Sequence, residues 1–316
     1  MPDESAEWTI GRLIEWTRNF FEKKGIPQPR LEAEILLAHV LGVERIDLYM
    51  RYEQPVGDPE RAALRDLVRR RADREPVRYL IGTCEFMSLA LKVTRDCLIP
   101  RPETELLVEE VLRLAGVKRR PVGAAHPADA PPPVPVSAVD LCTGGGCVAV
   151  SLAVYLPAAR VTASDISPAA LAVARENAEA HGVADRLTFL EGDLYEPLDA
   201  ADVQPADFLV ANPPYVTEAE WPDLAPEIRE HEPRAALVAG PAGTEVIERI
   251  VKGAPAYLRH GGTMLIEIGA EQGPRAAEAA SAARGLADVR IVKDYAGLDR
   301  ILAAKKICLP RSRGAL

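Results

Sequence analysis

Beyond residue 135 the chain switches repeatedly between two periods, and this alternation restricts the fold more than any single motif. Short apolar runs with strand character cover 136–141, 160–164, 187–191, 208–211, 263–268, 289–292 and 301–305, and runs of helical length cover 146–156, 168–181, 244–258 and 272–284. Strands alternating with helices build an open, mostly parallel sheet with both faces covered. Such sheets bind ligands outside the carboxyl ends of their strands, so those ends are where chemistry is to be sought.

Two strand ends stand out. Asp207-Phe208-Leu209-Val210-Ala211 reads as a buried strand and runs into Asn212-Pro213-Pro214-Tyr215. Two prolines remove two backbone donors and fix two φ angles, which stops the strand. The residue before each proline is held extended. The result is a rigid turn that aims the Asn212 amide, one or two bare carbonyls and the Tyr215 ring at one point. A planar substrate group carrying an NH₂ suits that combination: the ring stacks on it and the oxygens accept its two hydrogens.

The other end is Asp140-Leu141-Cys142-Thr143-Gly144-Gly145-Gly146, between the first strand and the first helix. Glycines permit positive φ and close approach of a ligand, and the helix start supplies free N–H groups. The spacing Gly144, Gly146, Ala149 matches a dinucleotide fingerprint, with Asp165 about 20 residues further on at the end of the second strand. This implies an adenosine-type cofactor over the first two strands, with Asp165 accepting from ribose hydroxyls. A tight turn with a surface aspartate is the plain alternative. Asp140 is placed to meet the cationic end of a methionine, and Asp193, in Glu191-Gly192-Asp193-Leu194, to face an adenine amino group. S-adenosylmethionine is therefore favoured over NAD, whose chemistry needs a proton-handling residue beside the nicotinamide; none is evident.

The first part of the chain reads differently. Trp8, Leu13, Ile14, Phe20 and Phe21 recur at helical spacing, 31–41 is amphipathic, and Asp58-Pro59-Glu60 is a helix start whose helix stops before Pro76. Residues 86–93 have strand character, and Arg101-Pro102-Glu103-Thr104-Glu105 opens a helix through Leu114. The expected divisions are a helical substrate-recognition domain over 1–84, a hairpin and connecting helix over 85–118, a Pro-rich linker or insertion over 119–137, and a catalytic domain over 138–310.

Charge and cysteine usage narrow the partners. Lys and Arg number 38 against 47 Asp and Glu, a formal net charge of −9, which argues against a face that grips nucleic-acid phosphates. The basic run Arg69-Arg70-Arg71, with Arg65, Arg74 and Arg78, is interleaved with Asp66, Asp73 and Glu75. It reads as a solvated helix face, or else as a patch for ribosome-associated or acidic partners. The cysteines form no Cys-x-x-Cys pair and the histidines show no metal spacing, so reduced thiols, no metal and a cytoplasmic address are expected. No apolar run suffices for a membrane span, and Met1–Glu7 lacks a signal pattern.

With Asp140–Gly146, Asp165, Asp193 and Asn212–Tyr215 in this order, the chain resembles class I S-adenosylmethionine-dependent methyltransferases, and the Asn-Pro-Pro-Tyr form narrows these to enzymes acting on a nitrogen conjugated to a planar system. Leu98-Ile99-Pro100-Arg101-Pro102-Glu103-Thr104-Glu105, Glu267-Ile268-Gly269 with Gln272-Gly273, and Lys293-Asp294-Tyr295-Ala296-Gly297-Leu298-Asp299-Arg300 resemble the PrmC/HemK family over nearly the whole chain. The resemblance implies a Rossmann-like, seven-stranded, mostly parallel sheet, with a small N-terminal helical bundle joined by a β-hairpin. It also implies a monomer that methylates the glutamine of the Gly-Gly-Gln motif in peptide chain release factors. The family's glycine turn has Gly and Ser where this chain has Cys142 and Gly145. Cys142-Thr143 with Cys147, and Asp165-Ile166-Ser167-Pro168, look more like the PrmB sister enzymes, which act on a ribosomal protein.

Carried onto this chain, the cofactor residues are Asp140, Cys142, Thr143, Gly144, Gly145, Gly146, Asp165, Ile166, Asp193, Leu194 and Asn212. In the reaction expected, Asn212 Oδ1 and the Pro213 carbonyl accept the two hydrogens of the target amide, Pro214 supplies rigidity and Tyr215 packs on the amide plane. A neutral amide nitrogen is a weak nucleophile, so catalysis rests on positioning and electrostatics. Arg101, Glu103 and Glu105 are expected to line the substrate groove, with helix-start electrostatics as the alternative for the two glutamates. His231-Glu232-Pro233-Arg234 reads as a substrate contact or an ordinary loop, Glu267 as structural hydrogen bonding beside the site, Cys142 as a packing residue, and Trp221 as lid or loop anchor. The rivals are an adenine-N6 nucleic-acid methyltransferase, which should add a basic groove, a non-catalytic binding module and an NAD-dependent oxidoreductase.

Overall fold

The computed structural model describes residues 7–118 and 135–308. Of the stretch read as a linker over 119–137, residues 119–134 lie outside the described residues. The chain forms two compact units: residues up to Thr83 with Ala225–His231, and Cys84–Leu224 with the residues from Glu232 onward.

Among the described residues, the first unit holds five helices before residue 83: α1 (Ile10–Lys23), α2 (Pro29–Leu41), α3 (Arg45–Met50), α4 (Asp58–Ala72) and α5 (Val77–Ile81). Thr9 caps α1, and α2 and α4 carry proline in their first turn, where a missing N–H costs nothing. Leu13, Ile14, Phe21, Leu36, Leu37, Leu48, Leu64 and Val68 form its core. The solvated-face reading of the arginine run fails at Arg71, which is 2% exposed. Its guanidinium pairs with Glu32, and with Glu227 at 3.1 Å. Arg74 meets the same Glu227 at 3.2 Å. Two carboxylates within the unit compensate the burial of the charge, and neither is adjacent in sequence.

β1 (Thr83–Phe86) and β2 (Leu89–Lys92) form the β-hairpin that the family resemblance implied, and the strand character read over 86–93 divides at its turn. Met87 and Ser88 turn the chain at φ 52° and 59°, the two left-handed positions of a tight hairpin turn. A 3₁₀ turn (Pro102–Thr104) then leads into α6 (Glu105–Leu114). The sheet-forming region follows as β3 (Val136–Leu141), α7 (Cys147–Tyr155), β4 (Ala159–Asp165), α8 (Pro168–Ala180), β5 (Leu187–Glu191), α9 (Glu196–Ala200) and β6 (Ala206–Ala211). After an excursion through β7 (Val216–Thr217), α10 (Pro226–His231) and β8 (Val238–Gly240) come α11 (Glu245–Tyr257), β9 (Leu258–Glu267), α12 (Gly273–Ala282), β10 (Leu286–Lys293) and β11 (Asp299–Lys306).

Seven strands pair in the order β10-β11-β9-β6-β3-β4-β5. β9, β6, β3, β4 and β5 are parallel, and β11 and β10 close one edge antiparallel. Side chains alternate between two buried layers: Ala138, Val210 and Leu265 pack with Leu107, Val148 and Leu152 on one face, and Val139, Leu209 and Met264 with Ile247, Ile250 and Ala280 on the other. This two-sided burial is why these strands read as continuous apolar runs. The chain moves outward from β3 through β4 to β5, then returns to β6 on β3's other side. That reversal is a topological switch point, where the loops after neighbouring strands part and leave a crevice.

Candidate active site

The carboxyl ends of β3, β4, β5 and β6 surround a cavity of about 410 Å³ whose wall includes Asp140, Cys142, Thr143, Gly144, Gly145, Asp165, Ile166, Asp193, Leu194, Asn212 and Pro214. These residues come from four separate strand ends, and the sheet brings them together. Gly146 is buried beneath the wall, where a Cβ would stand 2.9 Å from Ala174 Cβ.

The glycine turn needs left-handed backbone at three places: Cys142 (φ 58°), Gly144 (φ 55°) and Gly146 (φ 81°). Only the first is not glycine, and a side chain there costs roughly 1–2 kcal/mol. Leu194, after β5, is also left-handed at φ 49°. Strained residues on the rim of one crevice are characteristic of functional sites. Asp165 braces the turn, accepting from Gly144 N–H at 2.8 Å and Ser167 N–H at 2.9 Å. Ser167 in turn caps α8 ahead of Pro168.

The electrostatics of the cavity ask for a cation. Asp140 is 1% exposed and accepts from the Thr143 hydroxyl at 2.6 Å. Burial pushes its pKa up to about 7, with nearby Asp165 adding to the rise. Burial raises the Asp165 carboxyl as well. Asp193 differs: it pairs with Arg249 at 2.6 Å, and both line the cavity. A ligand with an ammonium and a sulfonium at one end and an adenosine at the other fits this donor set. Asp140 would hold the cationic end, the glycine turn would admit close approach, and exposed Ile166 would offer an apolar platform to a flat ring.

The Asn212–Tyr215 turn is clamped from several sides. Tyr215 N–H donates to Leu237 O at 3.1 Å, and Gln272 Nε2 donates to Tyr215 O at 2.8 Å and to Gly243 O at 3.1 Å. Gly269 N–H donates to Gln272 Oε1 at 2.9 Å. Gly243 must lack a side chain, since a Cβ would stand 2.7 Å from Tyr215 O. Asn212 Nδ2 donates to Thr104 Oγ1 at 3.2 Å, and its Oδ1 accepts nothing among the described residues. Pro213 and Tyr215 are not on the cavity wall; the Tyr215 hydroxyl turns instead to Glu267 Oε1 at 3.4 Å.

The residues around Arg101 divide in role. Glu105 Oε1 accepts from Met87 N–H at 2.6 Å, which ties α6 to the hairpin turn. Glu103 is exposed. Arg101 pairs with Glu232, which also accepts from Ile99 N–H at 3.2 Å and is 6% exposed. Glu232 thus fastens the segment before α6 to the loop after α10, a part that sequence reasoning left between substrate contact and plain loop. Gln272 was missed too, although its pairing with glycines in Glu267-Ile268-Gly269 and Gln272-Gly273 was visible. Trp221 is a loop anchor, with the Arg234 guanidinium 5.6 Å from its ring centre.

A model described as PrmC N-terminal domain matches residues 12–82, and one described as methyltransferase small domain matches 132–235. Release factor glutamine methyltransferases of Chlorobaculum tepidum and Geobacter sulfurreducens are 43% and 41% identical to this chain, each over 96% of it and 99% of theirs. A methyltransferase structure from Pyrococcus furiosus is 15% identical, with a TM-score of 0.47 over 70% of this chain and 90% of that one. The fold and the crevice define a class I S-adenosylmethionine-dependent methyltransferase. The chain belongs to the release factor glutamine methyltransferase family, in keeping with the resemblance seen in its motifs.

Proposed function

We propose that this chain methylates the side-chain amide nitrogen of the glutamine in the Gly-Gly-Gln motif of peptide chain release factors. The observation that carries the reading is that Asn212 and Asp140 line one cavity from neighbouring strand ends, with Asn212 Nδ2 already engaged and Oδ1 left to a ligand. Bound S-adenosylmethionine supplies an electrophilic methyl group. Asn212 Oδ1 accepts a hydrogen of the incoming amide, which orients the nitrogen lone pair and stabilises the positive charge it gains. Pro213, buried behind the wall, and Pro214 on it keep that acceptor rigid, and Asp140 binds the cationic end of the cofactor. Correct placement of reacting groups supplies roughly 7–11 kcal/mol in favourable cases. Tyr215, off the cavity wall, serves by holding the turn against Glu267 rather than by stacking on the target. Arg101 and Glu103 are the residues beside this turn assigned to substrate contact, and Glu105 contributes through the hairpin it anchors.

The reading places a monomer in the cytoplasm, acting on protein and not on nucleic acid, in keeping with a net charge of −9. A ribosomal-protein glutamine is the second candidate, supported by Cys142 and by Asp165-Ile166-Ser167-Pro168. Incubation with methyl-labelled cofactor and, in parallel, a release factor, a large-subunit ribosomal protein and duplex DNA separates them. Label on the Gly-Gly-Gln peptide supports the reading; label only on the ribosomal protein or DNA overturns it.

A further inference from the structure

An asparagine carboxamide has one acceptor end and one donor end, and only the acceptor end can take the hydrogens of a target amide. Something must therefore fix which end of Asn212 faces the cavity. Thr104 is 1% exposed and takes the Asn212 Nδ2 proton at 3.2 Å. Near it lies the carboxyl of Glu267, 1% exposed at the end of β9, whose Oε1 accepts from the Tyr215 hydroxyl at 3.4 Å. Glu267 Oε2 is buried without a hydrogen-bond partner. Neither Glu267 nor Tyr215 reaches the cavity wall, so Glu267 acts only through others.

We propose that Glu267 is a positioning residue that sets the polarity of the Asn212 amide through Thr104. An ionised carboxylate only accepts, so it takes the proton of the Thr104 hydroxyl. Thr104 Oγ1 is then left as an acceptor, which only the Nδ2 end of Asn212 satisfies, and Oδ1 faces the cavity. A protonated Glu267 donates to Thr104 instead. The hydroxyl proton then turns to Asn212, the carboxamide flips, and two NH₂ groups confront each other across the site. No proton passes to the substrate in either state.

The charged groups around Glu267 oppose one another: Arg300 on β11 favours the ionised form, and Glu103 before α6 disfavours it. Arg101 stands near Tyr215, and the thiol of Cys147 on α7 also feels the carboxylate. Burial dominates and pushes the Glu267 pKa up to about 7, so the switch lies where it can be titrated.

The inference rests on the methyltransferase reading, and its test has a part independent of turnover. In ligand-free protein labelled with ¹⁵N-asparagine, the side-chain NH₂ signal of Asn212, assigned by its loss in Asn212→Ala, should shift between pH 6 and 8. It should stop shifting in Glu267→Gln. With a release factor and saturating cofactor, wild-type kcat should rise over the same range. Glu267→Gln and Thr104→Val should lower kcat roughly 10- to 100-fold, in the range a misplaced group costs, and flatten its rise, with cofactor affinity by calorimetry changed less than about threefold. Thr104→Ser, which keeps the hydroxyl, should restore kcat. Unchanged cofactor affinity shows that the variants are folded. An Asn212 signal with the same pH response in wild type and Glu267→Gln overturns the inference, as does a Thr104→Val enzyme with wild-type kcat and pH profile. A wild type inert on release factor overturns the substrate reading alone, and the amide signal still decides the role of Glu267.

Discussion

Cys142 shows how a single residue can sit at odds with its backbone. At φ 58° it occupies a conformation suited to glycine, and burial raises its thiol pKa, which makes it inert as a nucleophile. Cys142→Gly should relieve strain of roughly 1–2 kcal/mol and return about 0.5–1 kcal/mol of it through the freer unfolded chain. The expected outcome is a stability unchanged or raised by up to about 1.5 kcal/mol, read by urea titration. Asp140 should make cofactor affinity pH-dependent. Its folded pKa is pushed up to about 7, so it is increasingly neutral below that pH and grips a cation less well. Affinity measured by calorimetry should improve from pH 6 to pH 8, and Asp140→Asn should weaken binding and remove the trend. At this level the placement was legible: Asp140, Asp165 and Asn212 could be set at strand ends, and so around one cavity, because strand ends can be read from periodicity. Thr104, Gln272 and Glu232 were not assigned, because the partners that give them their roles at the site, Asn212, Tyr215 with Gly243, and Ile99, lie 29 to 133 positions away along the chain.

The strands and helices of the sheet were legible for a different reason. Two-sided burial leaves β3, β6 and the Met264–Ile266 part of β9 largely apolar, and caps such as Ser167-Pro168 mark where helices begin. The position of the hairpin's turn was not, because it is built from Met87 and Ser88 in place of the usual Asn-Gly. What permits it is tertiary: Met87 is fully buried and its N–H is held by Glu105. The excursion between β6 and β8 is fastened in a comparable way by buried Glu232. Glu232→Ala should leave Ile99 N–H and the Arg101 guanidinium without this acceptor. Losing a buried partner costs about 1–3 kcal/mol, more for a charged group, and the loop around residues 232–237 should become cleavable by protease under conditions where the parent chain is resistant.

The molecule as a whole carries the cost of its acidic crevice. Burial raises the folded pKa values of both Asp140 and Glu267 to about 7, above the ordinary carboxylate values of 3.8 and 4.5. Between those limits the folded chain holds protons that the unfolded chain has released, so these two groups lower stability as pH rises from about 4 to 7. Melting of the ligand-free protein should therefore show a destabilising slope in that window that Asp140→Asn reduces, and cofactor should raise the melting temperature most at the upper end. The helical unit depends on a different balance. Arg71 stands between Glu32 and Glu227, and removing one partner of a buried ion pair costs about 3–5 kcal/mol.

The central claim is that the carboxamide of Asn212 orients the target nitrogen while the cofactor is held by other residues. Asn212→Ala tests it most directly, with turnover on release factor and cofactor affinity measured on the same preparation. The account predicts a fall in kcat of about 100-fold or more, the scale of losing one preorganised polar contact to a transition state, with cofactor affinity within about threefold of the parent. Turnover within about tenfold of the parent, or a loss of activity matched by an equal loss of cofactor affinity, would contradict it.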